Sequence, residues 1–104
     1  MMPLPTGIDF NKIVARAAQR FEVVHGFKVG IDATALLVTR AAPYTLHVER
    51  ELLQGTITVR FLEDSVITLL VTAKAIAIAS GHDRIDEALA AEAMEKDCPY
   101  LFWC

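Results

Sequence analysis

Cysteine is scarce in this chain. The two present, Cys98 and Cys104, stand close together near the C-terminal end, so no disulfide framework supports the fold. Taken with His82 they do not make a zinc site. Five residues between two cysteines is not a usual ligand spacing, and no fourth ligand is indicated. Glycine is sparse too, with no phosphate-binding Gly-rich loop. Ser65 and Ser80 have no His–Asp arrangement that the sequence singles out, and His25 and His47 stand alone on their segments. These absences predict no metal, no cofactor and no enzyme; a small enzyme with an unrecognised site is the alternative left open. An excess of basic charge is also missing. Ten Lys and Arg against thirteen Asp and Glu give a net charge of −3 and a pI near 5.5. A nucleic-acid backbone is therefore not the default partner.

Long uncharged runs are lacking as well. The longest apolar region is interrupted by Lys74, and its uncharged part, Ser65 to Ala73, is far short of the roughly 20 residues of a membrane span. The opening MMPLPTGIDF has neither the basic segment nor the apolar core of a signal peptide. The expected setting is intracellular and reducing, with no membrane.

What is present is apolar. Of 104 residues 54% are hydrophobic and 22% charged, which argues for one folded domain. Mean hydropathy of +0.38 is high for so small a domain. A homodimer, or a heterodimer with a similarly folded chain, would cover the surplus; an Ala-rich core is the alternative.

The centre of the chain is Val59 to Ser80. A helix there places Leu62, Val66, Leu69, Leu70, Ala73, Ile76 and Ala77 on one face. Ile67, Val71, Ala75 and Ile78 fall on the other side, so the helix is apolar nearly all round and must be covered by others. Around it the sequence predicts an all-α domain of four to five helices over residues 9–97. An extended lead-in, 1–8, precedes it, and an apolar tail, 98–104, follows.

In chain order, Asp9 caps a helix from Phe10 to His25, with Phe10, Ile13, Val14, Ala17, Phe21 and Val24 inward and Gly26 as its stop. Phe27-Lys28-Val29 reads as extended. Asp32 is placed to cap a helix from Ala33 to Arg40, and Pro43 either kinks or divides residues 31–54. Tyr44, Val48 and Leu52 share a face of the second half, which Gly55 ends. Thr56 to Val59 is β-branched and reads as a short strand or loop. A β-hairpin over 44–61 competes with the helix, although Leu52-Leu53-Gln54-Gly55 is poor turn chemistry. Gly81 ends the central helix, and Asp83 or Asp86 caps a last one, about Ile85 to Lys96. No internal repeat stands out.

The segment RFLEDSVITLLVTAKAIAIASGHDRIDEALAAEAMEK resembles the second half of a histone fold. Phe61 to Thr72 resembles the later part of its central helix, Gly81 to Ile85 the link, and Asp86 to Lys96 the last helix. Ala-rich helix–turn–helix segments of helical ATPase lids look similar. On the histone-fold pattern Tyr44–Gln54 is the preferred first helix and TITV its link, with 9–42 an addition; the other arrangement starts at Asp9. The resemblance implies pairing with a similarly folded partner more firmly than it implies DNA binding, because this link carries only Arg84 and there is no basic tail.

The functional expectation is a non-enzymatic dimerisation or interaction module, a histone-fold-like subunit of a larger assembly. Its partner interface is expected at Leu62, Val66, Leu69, Leu70, Ala73 and Ile76, joined by Phe102 and Trp103 of the tail. The alternative is nucleic-acid contact through Lys12, Arg16 and Arg20, spaced every four residues, with Arg84.

Overall fold

A computed structural model describes residues 9–96. Five α-helices and two short strands make it up: α1 (Phe10–His25), β1 (Lys28–Val29), α2 (Ile31–Ala41), α3 (Thr45–Gln54), α4 (Val59–Ala79), β2 (Arg84–Ile85) and α5 (Glu87–Lys96). The small all-α class is as the sequence predicts. The apolar tail, with Phe102 and Trp103, and the lead-in 1–8 lie outside the described residues.

The helix ends follow local chemistry. Asp9 Oδ1 accepts the amides of Asn11 and Lys12, and Thr58 Oγ1 accepts that of Phe61 at the start of α4. At the other ends Gly26 and Gly55 adopt positive φ, where a side chain would be strained. Pro43 lies in a 3₁₀ turn, Ala42–Tyr44, between α2 and α3, so residues 31–54 divide into two helices. The competing β-hairpin over 44–61 does not form, since Thr45–Gln54 is helical. Thr56 to Thr58 is an irregular link and not a strand.

The topology is a helix–strand–helix unit used twice: α1–β1–α2, then α4–β2–α5, with α3 between them. β1 and β2 pair in parallel, Lys28 against Arg84 and Val29 against Ile85. The extended partner of the link at 82–85 is thus Lys28–Val29 and not TITV. Residues 9–42 are half of the core and not an addition to it. α1 lies along α4, α2 along α5, and each unit also packs its own two helices together. No repeat is visible in the sequence because the units share their order and strand register, not their side chains.

The core runs from Phe10, Ile13, Val14, Ala17, Ala18 and Phe21 of α1 to Leu62, Val66, Leu69, Leu70, Ala73 and Ala77 of α4. α2 adds Ala33, Leu37 and Ala41, and α5 adds Leu89, Ala90, Ala93 and Met94. Alanine recurs on all four buried faces, which lets helix axes approach toward the near end of their usual spacing. Much of the chain's high hydropathy is therefore spent inside one copy. Val24 is mostly exposed, contrary to the helical pattern. The inward line of α1 ends instead at His25, whose ring stacks on Phe21 with centroids 4.7 Å apart.

Leu70 is fully buried, so Leu70→Ala is expected to lower unfolding free energy by about 2–5 kcal/mol, read by urea denaturation. Leu69→Asp should yield no soluble folded protein, because it buries an unpaired charge. Near-normal melting of either variant would mean that α4 is not central.

Candidate interaction surface

The residues expected at a partner interface are mostly closed off within the single chain. Leu62, Val66, Leu69, Leu70 and Ala73 have no exposed surface, and Ile76 is half-buried against the same core. The hydrophobic pattern identifies the buried face, but that face belongs to α1 and α5. What α4 leaves outside is the other line. Phe61, Asp64, Thr68, Val71, Ala75 and Ile78 are all exposed, at alternating steps of three and four. Val71 is 42% and Ile78 60% exposed.

The threonine hydroxyls on and beside that line are internally satisfied. Thr68 Oγ1 donates to the carbonyl of Asp64 at 2.9 Å, and Thr72 Oγ1 to that of Thr68 at 3.4 Å. Both hydroxyls are turned back onto the helix, so covering this face leaves neither of them without a partner. Lys74 flanks the line, and Arg60 and Asp64 stand at its N-terminal end, 3.8 Å apart.

Other apolar surface lies on the two sides of α1. A groove of about 310 Å³ between α1 and α2 is lined by Asn11, Val14, Ala15, Ile31, Thr34, Ala35 and Val38. Ile31 at its rim is 86% exposed. On α3, Leu46 and Leu53 face outward while Val48 is buried.

The basic stripe on α1 is occupied by acids. Arg20 donates to Glu63 at 3.0 Å and lies 3.8 Å from Asp64; Arg16 is 3.8 Å from Glu63. Glu63 is a buried residue at 6% exposure, so these cations hold α1 against α4. Lys12 is exposed about 20 Å before the end of α1. Arg84 sits beyond that end, beside Lys28 on the strand pair. The four cations do not form one patch.

The ends of four helices converge on the strand pair. Gly30 N–H donates to Ile85 O at 2.8 Å, and Val29 N–H to Glu22 Oε2 at 2.8 Å. α2 begins at Ile31, so Asp32 does not cap its own helix. Its Oδ2 accepts the amide of Glu87, the first residue of α5, at 3.0 Å, while Asp86 Oδ1 accepts that of Leu89. A Cβ on buried Gly30 would collide with Asp32 Oδ1 and lie 2.7 Å from Arg84 Nη2. That bond from Glu87 holds the Asp32 carboxyl below its ordinary value, with Arg84 adding a smaller pull.

Among the described residues no group of three or more His, Cys, Asp and Glu is placed to hold a metal ion. No helix among them is long and apolar enough to cross a membrane. Among the described residues the buried polar ones, Glu63 and Ser65, both serve structure; Ser65 Oγ donates to Phe61 O at 2.9 Å. Comparison with known protein families, with curated proteins and with solved structures finds no match.

Glu63→Ala should cost about 1–2 kcal/mol, a charge-assisted bond discounted for the partial exposure of Arg20. No change in denaturation midpoint would show that the pair is only a surface contact. Because folding lowers the Asp32 pKa, its contribution is present above the ordinary value of 3.8 and is lost as pH falls through the lower folded value. Asp32→Asn keeps an acceptor but cannot titrate. Its stability should therefore fall less steeply than wild type on the acid side, as measured by melting temperature against pH. Identical acid limbs would remove this role.

Proposed function

We propose that the chain is a non-enzymatic helical interaction module, a subunit that joins another helical chain in a larger assembly. The observation that carries this reading is the outer line of α4, where Val71, Ala75 and Ile78 remain exposed on a helix whose other side is the core. A seven-residue spacing of apolar and small side chains is the geometry with which one helix receives another. The internally bonded hydroxyls of Thr68 and Thr72 support it, since a contact there leaves neither hydroxyl without a partner. Pairing of helical units is also what the histone-fold resemblance implies. The placement of Arg16 and Arg20 on Glu63 favours this reading over nucleic-acid binding, because the stripe's positive charge is opposed at short range.

Val71→Asp tests it. The position is exposed, so the melting temperature should move by no more than a few degrees, within about 0.5 kcal/mol. Light scattering should show the assembled mass of the native protein, alone or with an accompanying chain, reduced by the substitution. An assembly that keeps its mass in the variant overturns the reading.

A further inference from the structure

The outer line of α4 also constrains what covers it. We propose that its occupant is a second copy of this chain, with the two α4 helices antiparallel about a twofold axis between Leu69 and Leu70; this rests on the reading of that line as an interaction surface. Val59–Ala79 is centred on Leu69, so an antiparallel pair with this axis overlaps along its whole length. Residues then meet whose numbers sum to 139. Phe61 faces Ile78 of the second copy, Asp64 faces its Ala75, and Thr68 faces its Val71. Each meeting pair takes one residue from each of the two alternating positions of the seven-residue line, as two helices require when they run in opposite directions.

Charge decides the direction. A parallel pair would set Asp64 directly against Asp64 across the seam. The antiparallel pair separates the two carboxylates and places Lys74 one residue from the level of the second copy's Asp64. It also brings Arg60, an unfavourable cation at the start of its own α4, beside the electronegative carboxyl-terminal end of the other. Opposed helix dipoles add to the same preference.

The size of the contact sets its strength. The helix is 21 residues long, or about 31 Å, and presents a strip about 10 Å wide. Two such strips come to about 600 Å², below the range of stable specific interfaces, so the dimer is weak and reversible and forms only at high protein concentration.

The experiment uses the full chain with Cys98 and Cys104 replaced by serine, its melting temperature first matched to wild type. Three variants are oxidised at about 100 µM: Phe61→Cys, Ile78→Cys, and the two together. Within one helix these positions are about 25 Å apart, too far for an internal disulfide. The double variant is expected to form a covalent dimer, and each single variant to remain largely uncrosslinked. Efficient crosslinking of Ile78→Cys alone would show a parallel pair and overturn the proposal. Sedimentation of the wild-type chain separates the two levels of inference. A chain that stays monomeric at about 500 µM eliminates the second copy but leaves the surface open to a different helix. A dimer that survives Val71→Asp eliminates both.

Discussion

Four helix ends meet at a strand pair only two residues long, and the satisfaction of their backbone groups there is the constraint on which the fold depends. A helix terminus leaves amides or carbonyls without partners inside the helix. At this junction they are supplied across the two units: Gly30 to Ile85, and Asp32 to Glu87. Gly30 permits the approach, because a side chain would strike Asp32 and Arg84. With the junction fixed, α1 and α2 leave it along α4 and α5. Their alanine-rich faces then close over Leu69 and Leu70.

The positions of the helices were legible because their punctuation is local. Asp9, Gly26, Gly55 and Gly81 act within a turn of where they stand, and the buried line of α4 has a helical period. Asp32 shows where such reasoning stops. An Asp near the start of a helix reads as its cap, yet this one caps a helix that begins 55 residues later. Nothing in the neighbourhood of either residue records that distance. The pairing of Lys28–Val29 with Arg84–Ile85 was hidden in the same way, as two-residue strands carry too little pattern to name their partner.

The surface was legible in part. Periodicity divides a helix into faces but does not say which protein covers each. The spacing of Leu62 to Ile76 marks a face that must be covered and suggests a partner for it, but α1 and α5 of the same chain do the covering. The opposite line of Val71, Ala75 and Ile78 was visible in the sequence as well, but its exposure emerges only once the other helices have been placed. The three cations of α1 have a similar history. Their four-residue spacing suggests a single solvent-facing stripe, whereas Arg16 and Arg20 lie against the acids of α4.

The bond from Val29 N–H to Glu22 has a consequence for the edge of the strand pair. An exposed strand edge offers donors and acceptors to any other extended segment, and proteins with open edges risk endless sheet growth. Here the outward amide of β1 is already held by a carboxylate from the preceding helix, and a charged group blocks the line of approach. The one sheet among the described residues is thereby closed on its β1 side to the addition of a further strand.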